Sequence, residues 1–160
     1  MHLALDLDDF NPECVHFARP VINTVLDNSR FHRVIYTDDV AVFSGVTLYF
    51  HLKVSRRERG FGMNKNHFSP AENSNVIEAI CGVERSIMER TCIGSKTHKL
   101  RISEQLNSGV LKLADTGETI ERATVLKISG VWDNQSTAGL TFRFFSALGR
   151  EECEADVHHD

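Results

Sequence analysis

A chain of 160 residues with 41% hydrophobic and 25% charged residues has the composition of a globular protein, which excludes disordered, collagen-like and fibrous chains and suits one domain. The formal net charge of −4 conceals a block pattern: residues 1–29 hold five acids and one base, residues 30–112 thirteen bases and eight acids, residues 113–150 four of each, and residues 151–160 five acids and no base. No run of about 18 apolar residues is present, so no transmembrane helix and no membrane partner are expected.

The segment Met1–Asp9 is acidic and lacks the basic start of a signal peptide. Four cysteines, Cys14, Cys81, Cys92 and Cys153, form no CxxC pair and read as reduced thiols of an intracellular protein, cytosolic or nuclear and not secreted. Asn11-Pro12-Glu13 offers a helix start, and Val15, Ala18, Ile22, Val25 and Leu26 recur at helical spacing. An N-terminal helix within an acidic arm, residues 1–29, is therefore expected, although Pro20 interrupts it.

From Phe31 the pattern turns to strand. Phe31 to Thr37 alternates, Asp38-Asp39 marks a turn, and Val40 to Val54 is a long β-rich run that Gly45 would bend. Ser55 to Pro70 is polar, basic and glycine-containing and reads as a loop. Ser74 to Thr91 gives the clearest helix, with Val76, Ile77, Ile80, Val83, Ile87 and Met88 on one stripe. Asn75 and Glu78 have the spacing of a capping box, and Gly94 suits the helix end. Strands are predicted over Lys99–Ser103, Val110–Ala114, Thr124–Trp132 and Leu140–Ala147, the last two framing a hairpin loop at Asp133–Gly139. One helix set among antiparallel strands predicts an α+β fold, mostly antiparallel β, closest to an oligonucleotide-binding (OB-like) small barrel. The β-rich domain would span 30–150, followed by a mobile acidic tail, 151–160.

The basic loop carries the strongest chemical signal. Lys53, Arg56, Arg57 and Arg59 precede Gly60-Phe61-Gly62, Lys65, His67 and Phe68, and Lys96, Lys99 and Arg101 follow later. Cations neutralise phosphates, and exposed rings between them stack on unpaired bases. Lys53, Arg56, Arg57, Arg59, Phe61, Lys65, Phe68, Lys99 and Arg101 are thus the candidate residues for binding single-stranded nucleic acid. The competing reading is a solvated hairpin tip whose two Phe side chains fold back into the core. The acidic tail, Glu151 to Asp160, would compete with phosphate for the basic site or dock on a protein partner.

Enzymatic readings find less support. Leu3 to Asp9 has the apolar-then-DxD look of aspartate-nucleophile phosphatases, but later parallel strands with the required Lys and acids are missing. His98 near Cys92, and His158-His159 with Asp160, lack paired metal-ligand spacing. Gly60-Phe61-Gly62 lacks the remaining residues of a phosphate loop. No cofactor, metal or catalytic residue is expected, and a non-enzymatic binding protein is the leading expectation. A protein-interaction or self-assembling structural module, with acidic and basic blocks pairing between copies, is the alternative.

The segments Leu126-Lys127-Ile128-Ser129-Gly130-Val131-Trp132 and Gly139-Leu140-Thr141-Phe142-Arg143-Phe144 resemble a short pattern in small proteins of large DNA viruses and mobile elements. The resemblance covers about residues 126–145. It implies a replication-associated role in binding single-stranded DNA and transfers no binding residue. By alternation, Leu126, Ile128, Leu140, Phe142 and Phe144 should share one face, with Trp132 as core anchor or stacking platform.

Overall fold

The computed structural model describes residues 4–91, 93–114 and 123–147. Cys92 and the acidic run 151–160, with Cys153, His158 and His159, lie outside the described residues. Over the first thirty positions the expected N-terminal helix is replaced by extended pieces: β1 (Leu5–Asp6), short 3-10 turns at Leu7–Asp9 and Pro12–Cys14, β2 (Val15–Phe17) and β3 (Val21–Ile22). Asn11 does cap a turn, its Oδ1 accepting the Glu13 N–H at 3.0 Å, but nothing propagates it. Pro20 cannot donate to a helix, and β-branched Val21 and Ile22 favour extended backbone. Both strands instead pair with β4 (Arg30–Thr37), with Val15 opposite Tyr36 and Val21 opposite Phe31. Tertiary pairing outweighs the weak helical period.

The β-rich run divides at Gly45 into β5 (Val42–Ser44) and β6 (Val46–Phe50). Gly45 has φ +84°, and a Cβ there would stand 2.7 Å from the Ile128 carbonyl oxygen, so both backbone conformation and space require glycine. Residues read as a loop form a hairpin, β7 (Val54–Arg59) and β8 (Met63–Phe68), turning through Gly60-Phe61-Gly62. The strand pattern was hidden because β7 ends the sheet and carries charges on both faces, as edge strands do.

Helix α1 (Ser74–Arg90) matches its predicted stripe, burying Ile77, Ile80, Val83, Ile87 and Met88. Its ends differ from expectation. The N-cap is Asn73, whose side chain turns instead to the Lys53 backbone and the Ser69 carbonyl, so the Asn75–Glu78 capping box is not used. Thr91 closes the helix, its hydroxyl donating to the Met88 carbonyl at 2.7 Å, three residues before Gly94.

The strand expected over Lys99–Ser103 is instead the short β9 (Thr97–Lys99) followed by α2 (Arg101–Ser108). Two facts explain the helix. Ile102 and Leu106, four residues apart, are both fully buried, and the orphan N–H groups of the first turn are satisfied from α1. There the Glu84 carboxylate accepts the Ile102 and Ser103 backbone N–H groups at 2.9 Å each and the Ser103 hydroxyl at 2.5 Å. The strands β10 (Val110–Ala114), β11 (Ala123–Asp133) and β12 (Thr137–Ala147) follow as expected. The β11–β12 loop tightens to residues 134–136, organised by Asn134 Oδ1, which accepts from the Ser136 and Thr137 N–H groups.

The strands form one mixed sheet ordered β1-β6-β11-β12-β10-β8-β7. The β1/β6, β10/β12 and β9/β12 pairs are parallel, and the rest are antiparallel. Strand β11 forks the sheet: Thr124–Ile128 pair with β6, whereas Gly130–Asp133 pair with β4, which also carries β2, β3 and β5. The α+β class holds, but the sheet is open between β1 and β7, so the OB-like closed barrel is corrected. Parallel entries at β1 and β10 and the fork at β11 replace the antiparallel meander from which a small barrel would close.

Cross-strand register separates the two faces, because directly paired residues point the same way. Leu48, Leu126, Phe144, Leu111 and Leu113 share one face with the buried side chains Ile80, Ile87, Met88, Ile102 and Leu106 of the helices. The predicted shared face of Leu126, Ile128, Leu140, Phe142 and Phe144 is this one, with Phe142 only partly buried. Each buried aliphatic or aromatic side chain here contributes about 1.5–3 kcal/mol. The opposite face carries the cationic part of the site, and α2 reaches the cleft beside it through Arg101 and Gln105.

Candidate functional site

The helix-free face repeats a simple arrangement. Lys112 of β10 stands opposite Lys65 of β8, and Arg143 of β12 stands opposite Lys127 of β11. In the parallel β10/β12 pair Ala114 meets Phe145, and Lys112 and Arg143, two residues earlier in each strand, both line a single cleft. Four adjacent strands therefore present Lys65, Lys112, Arg143 and Lys127 in one row, as two registered pairs on the same face. Lys65, Lys112 and Arg143 are exposed and Lys127 is half-buried. None of the four is ion-paired to a carboxylate among the described residues. At one end of the row Glu58 lies opposite Lys65, and its carboxylate also binds Arg56 at 2.7 Å and His67 at 3.0 Å. The row exists because each cation sits at an outward position of a strand whose neighbours point inward, as in Leu111-Lys112-Leu113 and Phe142-Arg143-Phe144.

Beside the row opens a cleft of about 850 Å³. Phe31, Trp132 and Met63 supply its apolar walls, Lys112 and Arg143 belong both to it and to the row, and Arg101 stands at its side. The Arg101 guanidinium lies 5.3 Å from the centre of the Trp132 ring, a cation–π contact. Glycines allow the rings to lie flat on the sheet. A Cβ on Gly130 would meet the Phe31 ring at 2.5 Å, and one on Gly139 would meet the Trp132 ring at 2.9 Å. The segment 21–26 borders the opening, with Ile22 85% and Val25 87% exposed.

The residues singled out in the sequence separate. Arg56 and Lys65 occupy the helix-free face, and Arg101 the cleft. Arg57 and Arg59 pair with Asn66 and Asn64 and so share the other face, where those asparagines are buried. Phe61, at the hairpin tip, is fully exposed, but Phe68 is 5% exposed and belongs to the core. The expectation that Phe68 offers a stacking surface is therefore corrected: it stands opposite Val54, and that parity turns it inward. Lys53 and Lys99 are exposed, Lys53 just before β7 and Lys99 at the end of β9 beside β12. Trp132 is 6% exposed and acts as an anchor that also walls the cleft.

Lys112, Lys127 and Arg143 were missed because no two are near in sequence. Their signal is a single cation flanked on each side by a large apolar residue within a strand, repeated three times. The segment's other charged centre is internal: Asp133, fully buried, binds Arg30 at 2.7 Å, Lys96 at 2.5 Å and His32 at 3.1 Å. Burial pushes the Asp133 pKa upward, but hydrogen bonds from Arg30, Lys96 and His32 outweigh it and hold the carboxyl well below its ordinary range. No group of three or more His, Cys, Asp or Glu side chains suited to a metal occurs among the described residues. No helix among them is long and apolar enough to cross a membrane. Comparison with family models, curated proteins and solved structures finds no match for this chain.

Proposed function

We propose that the protein is a non-enzymatic, intracellular binder of single-stranded nucleic acid, with DNA as its ligand, and that the strand lies across the helix-free face of the sheet. The observation that carries this reading is the row Lys65, Lys112, Arg143 and Lys127. Like charges on adjacent strands repel, and among the described residues none of the four forms an ion pair, since Glu58, opposite Lys65, binds Arg56 and His67 instead. A phosphodiester backbone supplies that missing charge and releases counterions on binding. Arg56 stands on the same face in an ion pair with Glu58, and Phe61, exposed at the hairpin tip, offers a ring for a base. The acidic run 151–160 acts as the intramolecular competitor for the same cations.

Anisotropy of a labelled thymidine oligomer at about 50 mM salt tests this. Reversing Lys112→Glu and Arg143→Glu together is expected to weaken binding at least tenfold, and removing residues 151–160 to tighten it. Unchanged affinity in the double variant would overturn the reading. A second reading, a self-assembling or protein-binding module, is favoured by Val40 and Val42, 92% and 73% exposed around the β4–β5 turn. Light scattering that shows a stable oligomer, dissociated by Val42→Asp and indifferent to the double charge reversal, would support it instead.

A further inference from the structure

The cleft differs in chemistry from the cationic row it adjoins. Its lining includes Arg101, Lys112 and Arg143 but no acidic side chain. Its walls are apolar and aromatic, and its volume of about 850 Å³ falls in the range of sites that enclose a small molecule. Gln105 and Thr141 add polar side chains that engage no other described group. A hydrocarbon tail would leave those two unpaired, whereas a nucleobase has apolar faces for the walls and polar edges for such groups.

Resting on the function proposed above, we infer that the cleft takes one unstacked nucleobase of the bound strand. The base enters between Phe31, Met63 and the 21–26 segment, its edge meets Gln105 and Thr141, and its flanking phosphates meet Lys112 and Arg143. Because Lys112 and Arg143 line both features, a strand following the row passes the mouth of the cleft. The exposed apolar residues Val25 and Leu26 (87% and 40% exposed) are the wall a base would cover.

Trp132 is the only tryptophan, so its emission reports occupancy directly. The experiment titrates the full chain with a twelve-nucleotide thymidine oligomer, with an abasic oligomer of the same length, and with oleate, while following Trp132 emission and anisotropy of the labelled oligomers. The expected result is that the thymidine oligomer shifts Trp132 emission and binds at least tenfold tighter than the abasic one. The variant Val25→Asp with Leu26→Asp, altering exposed positions, should bring the two oligomers to equal affinity. Equal binding of both oligomers by the unaltered chain, with Trp132 emission unchanged, would overturn the base pocket while leaving the cationic row intact. Failure of both oligomers to bind would overturn the row as well. A Trp132 response to oleate but not to the thymidine oligomer would assign the cleft to an anionic lipid and overturn the inference.

Discussion

Asp133 joins three parts of the chain that are far apart in sequence. Its buried carboxylate ties Arg30 and His32 of β4 and Lys96 before β9 to the end of β11. Removing the buried carboxylate leaves the mostly buried Lys96 and His32 without a partner, whereas Arg30, 53% exposed, turns to water. The cost lies at the lower end of the range for a buried pair. Urea unfolding of Asp133→Ala should therefore show a loss of about 3 kcal/mol relative to the native chain. The pH sign follows from the depressed pKa. The contribution is complete above the ordinary carboxylate pKa of about 4 and is lost as pH falls toward the lower folded value. Acid titration of stability should be flatter below about pH 4 in Asp133→Ala than in the native chain. In the sequence Asp133 stood only at the edge of a hairpin loop, because nothing local to it names residues 30, 32 and 96. Phe61 and Phe68 teach the same lesson: both lie near basic residues, but Phe61 falls in the turn and is exposed, whereas Phe68 falls in β8, whose parity turns it inward.

At the level of elements, legibility followed the amount of local information. Helix α1 and the β11–β12 hairpin carry long, consistent apolar periods, and their predicted extents lie close to the observed ones. Helix α2 carries only two core residues, and the carboxylate that caps it comes from α1. Glu84→Ala should cost about 2 kcal/mol, since it strips hydrogen bonds from a buried helix start. Hydrogen exchange at the Ile102 and Ser103 amides should quicken first, while the β11–β12 hairpin keeps its protection. Unchanged exchange in α2 would contradict this role for Glu84. Strands β2 and β3 were illegible for the converse reason. Their few residues fit a helical period, and only β4 as a neighbour decides the conformation. The fork at β11 was hidden too, because Gly130 reads as a bend until the β4 backbone is seen against it, with a Cβ only 2.4 Å from the His32 carbonyl oxygen.

Over the whole molecule, the two helices pack on one face of the open sheet, and Arg101 and Gln105 of α2 together with the 21–26 segment border the cleft beside the cationic row. The basic middle block drew attention to the β7–β8 hairpin, where cations are dense in sequence. Folding moves the emphasis to the sheet centre, where cations sparse in sequence become neighbours through strand pairing: Lys65 beside Lys112, and Arg143 beside Lys127. Charge density along a chain and charge density on a surface are different quantities, and the register converts one into the other. The net charge of −4 is thus compatible with a strongly cationic patch.

The salt dependence of binding to a thymidine oligomer tests this account most directly. Four phosphate contacts predict a slope of log K against log salt of about −3, and replacing Lys112 and Arg143 by glutamine should bring it to about −1.5. A flat dependence, or an equal slope in the native and doubly substituted chains, would contradict it.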